Sequence, residues 1–512
     1  MYDLIIKNAR IIDGTGSPWY RADLAVKDGK IAAIGKLNED AAAVVDAADK
    51  YLAPGFIDIH SHSDASIMNC PGNESRLLQG TTTELTGNCG DSVAPVGKNT
   101  VDPGRKYETA AAFFNALEEK GIATNFAMLV GHGTVRDAVM GYSSDKASSE
   151  QIAEMQAFTA KAMEDGCFGI SSGLIYPPGC YADTDELSDV ASAVAPFGGL
   201  YSTHMRNENV KVVESVKEAI EIAERSGARL QISHHKVTSK QNWEESCRTT
   251  IALIEKARKR GLDAACDQYP YSASATGLDS NIPRWAFEGG FDAMLKRLED
   301  PETRAQLRDQ SNKSHEGRWG DIYVAYVQTE KNQWMVGKSI TEIADALGGK
   351  DYADTCFDIV ADEHGHVGEV NFGMCEEDIE YIMSQPFTMT GSDGESLSLD
   401  CPGKPHPRNF GTMVRMLSHY CRDRKLFSIE TAIHKITALP ASRMGLADRG
   451  VIKAGMWADL VLFDLDKLND NPSYADPQQP CDGIIQVYVN GVLAAENGKV
   501  TGSRSGMVLR HK

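Results

Sequence analysis

Side chains that bind metal ions or carry protons recur in this sequence where apolar runs end. His60-Ser61-His62 closes the run Phe56-Ile57-Asp58-Ile59. In extended chain, residues i and i+2 point to the same side, so both imidazoles can reach one ion. Imidazole suits zinc and similar metals. Taken alone, the pair also reads as two surface histidines in a loop. Further runs end in Thr203-His204-Met205-Arg206, Ser233-His234-His235-Lys236 and Ser392-Asp393-Gly394. Each supplies a ligand or proton carrier at a strand end. His234 and His235 are neighbours and cannot point the same way; His234 shares a side with Lys236, so His234 is the expected ligand and His235 a supporting residue. Thr86-Gly87-Asn88-Cys89-Gly90 places a cysteine between glycines at another strand end. A thiolate beside a metal is deprotonated; it could also act as a nucleophile, but the histidine and aspartate positions favour Cys89 as a ligand.

The elements that position these groups follow from hydrophobic texture. Eight apolar runs, at 56–62, 82–90, 126–133, 168–174, 200–206, 230–236, 264–271 and 387–394, alternate with helical stretches. Val212, Val216, Ala219 and Ala223 recur at helical spacing before Gly227, which reads as a stop. Ile152, Met155, Thr159 and Ala162 do the same before Gly166, and Ile251, Ile254 and Ala257 before Gly261. Alternating strand and helix over this length predicts an α/β fold, a (β/α)8 TIM-type barrel, whose strand C-termini carry the site. The long gap between strands 7 and 8 predicts an inserted subdomain at 284–356. Short strands with Asp-Gly and Asn-Gly turns fill both ends of the chain. They predict one small β-sandwich built from 1–54 and 445–512, leaving 55–444 for the barrel.

The chain has 512 residues and a net charge of −20. Such a surface repels phosphate backbones, which argues against nucleic acid and anionic membranes as partners. The eleven cysteines form no C-x-x-C pair, and no apolar signal core follows Met1. A cytoplasmic protein with mostly free thiols is expected. No run approaches the roughly 18 apolar residues of a membrane span.

Longer motifs narrow the reading. Pro54-Gly55-Phe56-Ile57-Asp58-Ile59-His60-Ser61-His62-Ser63-Asp64, Gly87-Asn88-Cys89-Gly90, Ser171-Ser172-Gly173-Leu174 with Tyr176-Pro177-Pro178-Gly179, Asp267-Gln268-Tyr269-Pro270-Tyr271, and His406-Pro407-Arg408 before Gly411-Thr412 run the length of the chain. With them the sequence resembles the amidohydrolase superfamily, in its D-aminoacylase (N-acyl-D-amino-acid deacylase) branch. The resemblance implies a zinc-dependent deacylase. Cys89, His204 and His234 match the ligands of a tightly held zinc, His60 and His62 a second, weaker metal position, and Asp393 the catalytic aspartate. The fourth strand, Cys167-Phe168-Gly169-Ile170-Ser171-Ser172-Gly173, lacks the bridging lysine of many superfamily members, and Cys89 is expected in its place.

The implied substrate is a small molecule with an α-carboxylate. Arg408 matches the arginine of the branch's H-P-R motif and can grip a carboxylate with two hydrogen bonds. Lys236 and Tyr176 are expected to assist, with Tyr269 or Tyr271 beside them. Arg206 is expected either at substrate or paired with an acid such as Glu208. His132 is given a supporting role, and His364-Gly365-His366 a loop. The alternatives to N-acyl-D-amino-acid hydrolysis are an L-Xaa-D-Xaa dipeptidase, a cyclic amidase of the hydantoinase or dihydroorotase type, and a non-catalytic scaffold. The oligomeric state and the preferred side chain are left open.

Overall fold

The structure, a computed structural model, describes residues 1–238 and 240–512. Its architecture is mixed α/β. Eight parallel strands carry the centre: Phe56–Asp58, Thr81–Thr86, Asn125–Met128 continued by Val130–Gly131, Gly169–Gly173, Leu200–His204, Arg229–Ile232, Ala264–Gln268 and Thr388–Thr390. Each pairs in parallel with the next along the chain. A parallel bridge between Ser61 and Gly394 joins the last to the first, so the strands form a ring.

The helical spacings settle as outer cover. In Val212–Ser226 the buried side includes Val212, Val216, Ala219 and Ala223, and Gly227 ends the helix at φ +74°. Ser148 and Gln151 form a reciprocal capping box at the start of Ser149–Asp165, satisfying two otherwise orphaned donors. Inside the ring, Ile57, Ile59, Leu85, Ala127, Leu129, Phe168, Leu200, Ala265 and Met389 fill the floor, with Leu509 of the C-terminal segment against them. The segment reaches there by pairing alongside Phe126.

Both ends of the chain join in one nine-stranded sheet. The link is Leu460–Phe463, antiparallel to Tyr51–Pro54. Period-2 alternation gives this strand two buried faces. Leu460 and Leu462 meet Leu4, Ile6 and Leu24, whereas Val461 and Phe463 face Phe56 and the helix residues Met413 and Leu417. The hydrogen bonds run through one continuous sheet that uses both ends of the chain.

Between the seventh and eighth ring strands lies a unit with its own core, including Leu278, Phe287, Trp319, Val324 and Phe357. It extends beyond 284–356 on both sides. Ala273–Gly277 and Val367–Phe372 are paired strands of a three-stranded sheet with Ile322–Val327. The small, polar Ala273-Ser274-Ala275-Thr276-Gly277 carries no apolar alternation in sequence. It becomes a strand through its partner.

Phe463 is fully buried, 5.7 Å from the stacked ring of Tyr51 and 6.5 Å from Phe56. Phe463→Ala is expected to cost about 3–5 kcal/mol, measured as a lowered thermal midpoint. An unchanged midpoint would contradict this packing role.

Candidate active site

The ring strands deliver their polar ends to one cavity of about 850 Å³, lined by His62, Cys89, Tyr176, His204, Glu208, His234, Lys236, Tyr269, Asp393 and Arg408, among others. His204 continues the inward parity of Leu200 and Ser202, and Asp393 that of Met389. Cys89, His234 and Asp393 all sit at positive φ, at +54°, +33° and +53°. Left-handed backbone is unfavourable for residues with a Cβ, and here it occurs where a strand end must turn a side chain inward. Gly173 allows the approach at Cys89, since a Cβ there would lie 1.9 Å from the Cys89 carbonyl oxygen.

Donor atoms of His60, Cys89, His234 and Asp393 all lie within 4.8 Å of one another. The Cys89 Sγ is 3.5 Å from His60 Nε2 and 3.3 Å from His234 Nε2. Asp393 Oδ1 lies 3.3 Å from His60 Nε2 and 2.9 Å from His62 Nε2. Both ring nitrogens of the buried His204 lack a hydrogen-bond partner, and its ring packs on His234 at 4.4 Å. Burial would raise the Cys89 thiol, but His234 and His60 bring it well below its ordinary value. Burial likewise opposes the Asp393 carboxylate, and Arg408 and His234 outweigh it, holding the group well below the usual range. A thiolate, a carboxylate and imidazoles around one point form a donor set suited to zinc. The unpartnered, buried His204 nitrogens fit a ligand role too.

A carboxylate absent from the expected set organises these groups. Asp267 accepts from His60 Nδ1 at 2.9 Å, the His234 backbone N–H at 2.8 Å and Gln231 Nε2 at 2.7 Å. It thereby turns His60 Nε2 toward the cluster. Glu208 is also new to the site. Its Oε1 accepts from Lys236 at 2.7 Å and lies 3.1 Å from His234 Nδ1, and its Oε2 lies 3.5 Å from His204 Nε2. The spacing of four residues from His204 was its only sequence signal. Arg206, expected at substrate or beside Glu208, instead grips Glu218, with Nη2 at 2.9 Å.

The other expected residues divide. Lys236 lines the cavity, but its ammonium is held by Glu208 and by His234 Nδ1 at 2.7 Å. Arg408 pairs with Asp393 Oδ2 at 2.7 Å and donates to the Ala275 carbonyl at 3.1 Å, while its buried Nε is unpartnered. Tyr176 packs on His204 at 5.1 Å. Tyr271 does not line the cavity: the chain turns at Pro270, with the Tyr271 N–H bonded back to the Tyr269 carbonyl, and its hydroxyl goes to the Pro407 carbonyl. Tyr269 faces the cavity instead, with an unpartnered, buried hydroxyl. His235 turns away to Thr250 at 2.9 Å. His132 bonds Glu186 at 3.1 Å. His364 and His366 lie exposed between the helix Tyr352–Asp362 and the strand Val367–Phe372.

Behind the first ring strand, Arg76 is fully buried between Asp58 at 3.5 Å and Glu84 at 3.6 Å. Asp58 accepts backbone N–H groups of both His60 and Ser392, tying the histidine strand to the aspartate strand. Removing a buried cation strands its carboxylates. Arg76→Met is expected to lower kcat far more than it changes KM, with partial recovery in Arg76→Lys. Equal activity per folded molecule would limit Arg76 to stability.

An amidohydrolase family model matches residues 43–495. A D-aminoacylase of Alcaligenes xylosoxydans xylosoxydans is 36% identical over 99% of this chain and 97% of its own length. A solved D-aminoacylase, described with a binuclear metal centre, superposes with TM-score 0.85 at 33% identity over 100% of both chains. So does an N-acyl-D-glutamate deacylase of Bordetella bronchiseptica, in complex with zinc and a phosphonate mimic of the tetrahedral intermediate, with TM-score 0.85 at 34% identity over 99% of both. A D-hydantoinase, at TM-score 0.59 and 16% identity over 100% of this chain and 99% of its own, shares the fold alone.

Proposed function

Because the chain belongs to the amidohydrolase family, we propose that it is a zinc-dependent hydrolase that cleaves N-acyl-D-amino acids to a carboxylate and a free D-amino acid. The observation that carries this reading is the buried cluster of His60, Cys89, His234 and Asp393 donors, all within 4.8 Å. In this reading Cys89, His204 and His234 hold the tight zinc, and His60 and His62 a second, weaker position. Zinc supplies a Lewis acid that makes water nucleophilic near neutral pH and polarises a carbonyl. Asp393 takes a proton from the attacking water at Oδ1 and returns it to the leaving nitrogen. Arg408 holds Asp393 ionised and offers its remaining donors to the substrate α-carboxylate. Lys236 sustains His234 through Glu208 and adds positive charge to the cavity. Tyr176 and Tyr269 present hydroxyl-bearing rings to the bound molecule.

The ring of parallel strands with outer helices is read as a (β/α)8 barrel spanning 55–444, and the sheet from 1–54 and 445–512 as one accessory module. Among the described residues no helix is long and apolar enough to cross a membrane, and every cysteine is free. The absence of lysine from the fourth strand counts against a cyclic amidase.

A panel of N-acetyl-D, N-acetyl-L and L-Xaa-D-Xaa compounds, assayed with zinc, tests the reaction. Hydrolysis of N-acetyl-D and not N-acetyl-L compounds is expected; hydrolysis of dipeptides alone would replace it with the dipeptidase reading. Asp393→Asn is expected to lower kcat by about 10²–10⁴-fold with zinc still bound, as measured by metal analysis; unaltered turnover would remove its proton-transfer role. Because Arg408 touches Asp393 as well as the cavity, Arg408→Ala is expected to raise KM and lower kcat together. A pure KM effect would separate the clamp from the aspartate.

A further inference from the structure

The outer part of the cavity is walled by the inserted sheet, and the proposed chemistry makes no use of it. Thr276 lies directly opposite Glu369 and Ser274 opposite Asn371 in the pair Ala273–Gly277 and Val367–Phe372. Opposed residues project from one face. All four line the cavity, together with Ser280 and Asn281. This polar wall adjoins the reactive end. The Thr276 hydroxyl is 3.1 Å from that of Tyr176, and the Ala275 carbonyl accepts from Arg408 at 3.1 Å.

Two acceptors here are short of donors. Glu369 is 3% exposed, and its partners are two amides, Asn281 Nδ2 at 2.5 Å and the Asn371 side chain beside it. Arg318 acts on it only through space. Among the described residues, no donor meets the buried Asn371 Oδ1. Burial, with the Asp279 carboxyl nearby, pushes the Glu369 carboxyl up to about 8 against the two amides and Arg318, because desolvating a carboxylate is costly. An ammonium brings three donors and a guanidinium five, and either would complete both acceptors while offsetting the desolvation. An aliphatic group would leave them unpaired.

We propose that Glu369 and Asn371 form a subsite for a protonated amine or guanidinium carried by the substrate. The proposal rests on the deacylase reading and names the substrate chemistry that this cavity favours. The cation has two sources: the side chain of the D-residue, or the α-ammonium of an aminoacyl group.

Two matched pairs separate them, assayed on the zinc-loaded full chain. N-acetyl-D-lysine is compared with N-acetyl-D-norleucine, and L-alanyl-D-leucine with N-propanoyl-D-leucine. In one pair the cationic member is expected to exceed its neutral counterpart about tenfold or more in kcat/KM, mainly through KM. Which pair responds assigns the source. Glu369→Gln is expected to erase that ratio, and Asn371→Leu, a second variant should the first fail to fold, to reduce it. Neutral members preferred in both pairs, or a ratio unmoved by either variant, would overturn the subsite. Hydrolysis of none of the four compounds would overturn the deacylase reading itself.

Discussion

One carboxylate, that of Asp267, holds the centre of this molecule in place. It accepts hydrogen bonds from the His60 ring, the His234 backbone and Gln231, and so ties the first, sixth and seventh ring strands together. A buried carboxylate must be satisfied by donors, and here the donors that satisfy it are the groups that must be aimed. The same bond that orients His60 presents its other nitrogen to Cys89 and Asp393. Charge is arranged around this point in layers. The thiolate and Asp393 face imidazoles and Arg408, and Glu208 pairs with Lys236. Arg76 separates Asp58 from Glu84 on the far side of the first strand. Each of these anions has a cation or N–H groups against it, which is the condition for burying charge so densely around one site.

Much of this was legible in the sequence because strand ends mark themselves. Apolar runs that stop at His60, Cys89, His204, His234 and Asp393 bring those side chains to one end of the strand ring. The alternation of neighbours was enough to send His234 to the cavity and His235 to Thr250. What was not legible depends on pairing between distant segments. Glu208 carries no motif of its own; it becomes part of the site because Lys236, twenty-eight residues away, meets it there. Tyr269 and Tyr271 are two residues apart, and sequence periodicity treats them alike. The turn at Pro270 breaks that periodicity and divides them. The strand Ala273–Gly277 is too small and polar to show itself, and only its ladder with Val367–Phe372 defines it.

The inserted unit and the terminal sheet make different contributions. The terminal sheet packs Val461 and Phe463 under the ring, on the side of Phe56 and the helix residues Met413 and Leu417. Its part is mechanical. The inserted unit instead brings polar side chains to the cavity while burying an apolar core of its own. The two pieces of chain thus meet the ring on different sides, one at its packing and one at its cavity. Loops at the C-terminal face of such rings can vary without disturbing the core.

The packed floor of the ring carries a consequence for traffic. Phe168, Leu200, Met389 and their neighbours, with Leu509 beneath, leave the centre of the ring solid. Whatever enters the cavity therefore cannot leave through the centre of the ring. In the proposed reaction one molecule goes in and two come out, and the amino-acid product keeps the carboxylate that Arg408 attracts. In that reading outgoing product and incoming substrate contend for the same guanidinium at the open end of a ring closed below.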